Sequence, residues 1–77
     1  MTTKIEAIKL VMQDNGGTAT LQEIYDNAGT YYPNVDAARD WKAGLRGVLY
    51  REIRNGRTFK KIGMARYGLL HAIMKAA

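Results

Sequence analysis

The apolar positions of this chain fall into three runs at helical spacing, followed by two short runs with strand character. Ile5, Ile8, Val11 and Met12 share one face of a helix. Just ahead, Thr3-Lys4-Ile5-Glu6 has the spacing of a capping box, in which a threonine hydroxyl and a glutamate carboxylate satisfy the open amides of a helix start. Asn15-Gly16-Gly17 predicts its end, because glycine accepts the left-handed backbone of a helix stop. Thr20-Leu21-Gln22-Glu23 repeats the capping-box spacing, and Leu21, Ile24, Tyr25 and Ala28 make a second stripe that predicts a short helix ending before Gly29. Between the two, Thr18 and Ala19 are candidates for a very short strand.

Thr30-Tyr31-Tyr32-Pro33-Asn34 reads as a turn, since proline pushes the residue before it out of helical geometry. A third helix is expected over about residues 37–54, capped by Asn34 or Asp36, with Ala38, Trp41, Leu45, Val48 and Leu49 within roughly 60° of one direction. Its opposite face holds Arg39, Ala43, Arg46, Gly47, Tyr50 and Arg54 around two very small residues, a surface that can approach another closely. Glu52 projects in the apolar direction, which argues that the helix frays or bends there. Asn55-Gly56 signals a turn, Arg57–Ile62 a strand, Gly63-Met64-Ala65 a reversal and Arg66–Leu70 a return strand that Gly68 weakens. His71 to Ala77 is a helix-forming tail with Ile73 and Met74.

Composition narrows the function classes. Seventy-seven residues fit one domain, residues 1–77. The absence of cysteine removes disulfides, thiolate metal sites and a cysteine nucleophile, and a single histidine, His71, cannot assemble a metal site, so no metal and no cofactor are expected. No serine occurs and no acid pair sits near a lysine at a nuclease spacing, so no catalytic residue is assigned. Lys4, Glu6 and Lys9 interrupt the first apolar run, which argues against a signal peptide or membrane span and for a soluble cytoplasmic protein. The net charge of +5 is uneven: Met1–Ala38 carries two bases against five acids, a net of −3, and Arg39–Ala77 ten bases against two acids, a net of +8. A field so polarised draws a polyanion to one side of the molecule.

Helix, short strand, helix, turn, longer helix and hairpin is the order of a winged helix-turn-helix. The expected class is mainly α with a small β hairpin (α+β): three helices, a two-stranded basic wing over 57–70, and a short C-terminal helix or tail. A helix fits the major groove of duplex DNA, where base edges are distinguishable, and a basic hairpin reaches the backbone or the minor groove. The stretches Leu21-Gln22-Glu23-Ile24-Tyr25, Tyr32-Pro33-Asn34, Trp41-Lys42-Ala43-Gly44-Leu45-Arg46 with Leu49, Phe59-Lys60-Lys61-Ile62-Gly63 and Arg66-Tyr67-Gly68-Leu69 resemble the winged helix domains attached to restriction endonucleases, including methyl-adenine-directed enzymes and HARE-type relatives. The resemblance covers about residues 5–70. It implies double-stranded DNA binding by a module accompanying a separate nuclease domain or subunit, with sensing of methylated adenine in one branch. Those relatives commonly have a glycine-rich wing tip, where Met64-Ala65 stands here.

The DNA-contacting candidates are Arg39, Lys42, Ala43, Arg46, Gly47, Tyr50, Arg54, Arg57, Lys60, Lys61 and Arg66. Arg39 and Arg46 can read guanine with forked hydrogen bonds, or touch phosphate or solvent. Lys60, Lys61 and Arg66 suit phosphate contacts, or keep a strand edge soluble. Trp41 reads as core, with a base contact as the other role; Tyr31 and Tyr32 pack under Pro33 or stack near a flipped or methylated base. The competing reading is a protein-interaction winged helix docking through the small-residue face, Tyr50, Ile73 and Met74.

Overall fold

The computed structural model describes residues 3–70. In chain order the elements are α1 (Lys4–Asp14), β1 (Thr18–Thr20), α2 (Leu21–Tyr31), a single 3-10 turn (Val35–Ala37), α3 (Trp41–Arg54), β2 (Phe59–Gly63) and β3 (Arg66–Leu69). This is a small α+β domain of three helices and an antiparallel sheet in the order β1-β3-β2.

Both capping boxes form as their spacing predicts. Thr3 Oγ1 accepts from the Glu6 amide at 3.1 Å while Glu6 accepts from the Thr3 amide at 3.1 Å. Thr20 and Glu23 repeat the exchange at 3.1 and 2.8 Å. Gly16 (φ 82°) and Gly17 (φ 108°) stop α1, and the Gly17 amide donates back to the Met12 carbonyl at 2.7 Å.

The expected hairpin of β2 and β3 forms, but the sheet has three strands rather than two. β1 pairs with β3 through Thr18–Gly68, Ala19–Tyr67 and Thr20–Arg66, so β3 lies between two partners. Three residues are too few for a period-two pattern, but their pairing satisfies backbone groups that β3 would otherwise leave open. Gly68 does not weaken this central strand. A Cβ there would fall 2.6 Å from Ile62 Cδ1 and 3.2 Å from the Gly17 carbonyl oxygen, so its bare Cα is what lets Ile62 lie across the sheet.

The inner sheet face presents Ala19, Phe59, Tyr67 and Leu69 to Ile8, Val11, Met12, Ile24, Ala28, Leu45 and Leu49 of the helices. Burial of each larger side chain contributes about 1.5–3 kcal/mol. Ile5, Leu21, Tyr25, Trp41 and Val48 pack around this centre, half-buried.

Several boundaries differ from the sequence expectation. α2 passes through Gly29 and ends at Tyr31, because the stop is Pro33, not the glycine: Tyr32 leaves helical geometry after its amide donates to the Ala28 carbonyl. α3 starts at Trp41 instead of near 37. Asn34, left-handed at φ 64°, precedes the 3-10 turn without a side-chain cap, Asp36 lies inside that turn, and Ala38 is extended and exposed. Arg39 therefore sits ahead of the recognition-helix candidate, not on it. At the other end, α3 neither frays nor bends at Glu52 but continues to Arg54. β2 begins at Phe59, so Arg57 and Thr58 form the joint before the hairpin. The tail His71–Ala77, with Ile73 and Met74, lies outside the described residues. No helix among the described residues is long and apolar enough to cross a membrane.

Candidate nucleic-acid interface

The surface with most basic side chains is built on α3 and the hairpin. On α3, Lys42, Ala43, Arg46, Gly47, Tyr50, Arg51 and Arg54 are exposed, while Leu45 and Leu49 anchor the opposite side in the core. A Cβ on Gly47 would meet nothing within 4 Å, so the middle of this face is open. Arg51, one turn beyond Gly47, is missing from the sequence-derived candidates although the same helical spacing would have found it.

Two tyrosines fix the borders of this face. Arg46 donates to the Tyr25 hydroxyl of α2 at 3.2 Å, and Lys42 Nζ lies 5.4 Å from the Tyr25 ring centre and 5.5 Å from that of Trp41. The Tyr25 and Trp41 rings meet edge to face at 6.0 Å. These contacts hold two cations at the start of α3 by cation–π attraction and one hydrogen bond, which uses one of the five guanidinium donors of Arg46. One turn beyond Arg46, Tyr50 faces β3: the Tyr67 hydroxyl donates to that of Tyr50 at 3.4 Å, with ring centres 6.0 Å apart. The Tyr50 hydroxyl beside it, together with burial, pushes the Tyr67 phenol up to about 12. Tyr25 and Tyr67 carried no sequence signal as site residues, because each becomes a neighbour of α3 only through tertiary packing.

Behind Trp41, a groove of about 500 Å³ runs between α2, the 3-10 turn and α3, and Asp26 and Asp36 line it. Among the described residues, Lys42 is the one cation beside these two carboxylates in the groove lining. Trp41 is half-buried against the core, as its apolar spacing suggests. Tyr31 packs against the same core and its hydroxyl donates to the Asp14 carboxylate at the end of α1. That contact ties Tyr31 to α1 and not to the open face of α3; Tyr32, half-buried, caps α2.

The joint from α3 to the hairpin depends on Glu52, only 5% exposed on the core side of the helix. Its carboxylate accepts from Arg57 Nη2 at 3.0 Å and Thr58 Oγ1 at 2.9 Å, while the Arg57 amide donates to the Glu52 carbonyl at 2.8 Å. Arg57 thus has an internal ion-pair partner, although its side chain stays 61% exposed. Thr58 adopts a left-handed φ of 61°, which turns the chain into β2.

On the hairpin the basic residues divide between two faces, since successive strand residues alternate. Lys61 pairs with Tyr67 and lies on the α3 side; Lys60 pairs with Gly68, and Lys60 and Arg66 lie on the outer face beside Ile62. All three are exposed, and the two lysines lie on an edge strand. No family model matches the chain, and no curated protein or solved structure matches it either.

Proposed function

We propose that this chain is a winged helix-turn-helix module that binds double-stranded DNA, with the open face of α3 in the major groove and the hairpin along the backbone. The observation that carries this reading is the set of exposed cations Lys42, Arg46, Arg51 and Arg54 on α3, with Lys61 on the α3 side of the hairpin, around an α3 surface kept low by Ala43 and Gly47. The element order, with β1 added to the hairpin, supports a winged helix. In this reading Arg46 reads base edges from its position beside Tyr25, and Lys61 and Arg54 touch phosphates. The resemblance to restriction-associated winged helices extends the proposal to a cytoplasmic restriction or regulatory system, with a nuclease in a separate domain or subunit and sensitivity to adenine methylation. The chain itself is then a binding module and not an enzyme.

A salt titration on random duplex DNA tests it. About four to six phosphate contacts should give a slope of log affinity against log salt of about −4 to −5, with binding in the micromolar range or weaker. Lys61→Ala, on the α3 side, should flatten the slope by about one, and Lys60→Ala by less. A slope near zero would favour the protein-interaction reading, which the exposed Tyr50 and Ile62 otherwise support. If Lys60→Ala had the larger effect, DNA would lie against the outer sheet face and α3 would not enter the groove.

A further inference from the structure

Met64 is 94% exposed at the tip of the hairpin. An isolated apolar side chain in water is ordinary, so exposure alone says little. What distinguishes Met64 is how rigidly it is presented. Only Met64 and Ala65 join β2 to β3, Gly63 already pairs with Arg66, and Ala65 takes a left-handed φ of 54°. From the other side, the Leu21 amide at the start of α2 donates to the Ala65 carbonyl at 3.0 Å, next to the Thr20–Arg66 pair. The turn is held by the β2–β3 pairing and by the start of α2, with the Met64 side chain left in solvent at its tip. The nearest hairpin cations are Arg66, two residues on, and Lys61, three residues back, both exposed and on opposite faces of the sheet.

An apolar tip with a cation behind it on each face of the hairpin has a specific complement. Phosphates answer the cations, and the stacked faces of a base step answer an unbranched, polarisable thioether. We propose that Met64 is a wedge that enters the minor groove and partly unstacks a base step, so that this module binds deformable DNA in preference to stiff DNA. The inference rests on the duplex-binding reading above. Pyrimidine–purine steps open most readily and A-tracts resist, so the preference should follow TpA content.

The probes are two duplexes of equal length and base composition, one of repeating TpA steps and one a continuous A-tract, each with 2-aminopurine replacing central adenines. Wild-type protein should raise 2-aminopurine fluorescence on the TpA duplex and bind it about tenfold more tightly than the A-tract. Met64→Ala should abolish the fluorescence rise and most of that preference, and Met64→Leu should keep both. Neither change touches a buried contact, so melting temperatures should match. The salt slope should be the same in all three proteins, because no cation is altered. Equal fluorescence and equal preference in wild type and Met64→Ala, with the salt slope intact, would overturn the wedge and leave DNA binding standing. No salt-dependent binding to either duplex by wild type would overturn both.

Discussion

Replacing Glu52 with alanine should separate the stability of the core from the orientation of the hairpin. A hydrogen bond to a charged group contributes about 1.5–3 kcal/mol, but the Arg57 end is open to water, so its share falls below about 1 kcal/mol. The Thr58 bond, at 2.9 Å on a half-buried hydroxyl, contributes about 1–1.5 kcal/mol. Loss of the buried methylene adds about 0.8 kcal/mol. Glu52→Ala should therefore destabilise by about 2–3 kcal/mol, which lowers the melting temperature of a domain this small by about 10–20 °C. Glu52→Gln keeps the volume and one acceptor and should cost about 1 kcal/mol. A double-mutant cycle with Arg57→Ala should give a coupling under about 1 kcal/mol, because solvent replaces the guanidinium. The assay is urea unfolding followed by circular dichroism, beside duplex binding at a temperature where each variant is folded. Affinity for DNA should drop in Glu52→Ala while the salt slope is kept, since every cation remains but the hairpin is no longer fixed to α3. A loss under about 0.5 kcal/mol for Glu52→Ala would refute the claim that this carboxylate holds the joint.

Gly47→Leu should leave the fold intact and add about 0.5–1 kcal/mol of helix propensity, because the site is open, yet weaken binding to a selected site by holding α3 away from base edges. Arg46→Ala should lose discrimination between a selected and a scrambled site, worth about 1–3 kcal/mol, while keeping most of the salt-dependent affinity; unchanged selectivity in both variants would remove α3 from the groove. Tyr67 gives a pH dependence: its folded-state value of about 12 lies above the ordinary 10, so the fold favours the protonated phenol. That contribution is fully present below pH 10 and is lost as pH rises to about 12, a fall of the order of 2 kcal/mol. Tyr50→Phe should reduce that loss, measured by urea unfolding across this range, and an equal loss in both proteins would show that Tyr50 is not its cause.

Local chemistry determined much of this protein. Thr3 with Glu6 and Thr20 with Glu23 start their helices because a capping box involves only residues three apart, and Gly16-Gly17 stop α1 for the same local reason. The polarised charge and the open Ala43–Gly47 face could also be read directly, since helical periodicity fixes which residues share a face. What depended on distant partners could not. Glu52 falls in the apolar direction of α3, and without its partners it reads as a defect; only the folded chain brings Arg57 and Thr58 round to satisfy the carboxylate. Gly68 reads as a weak point until Ile62 lies over it, and Thr18 and Ala19, named as candidates for a short strand, become one only because β3 lies alongside. Two adjacent lysines of a strand must face opposite ways, but which of them faces α3 follows from the pairing of Lys61 with Tyr67, set by the folded sheet.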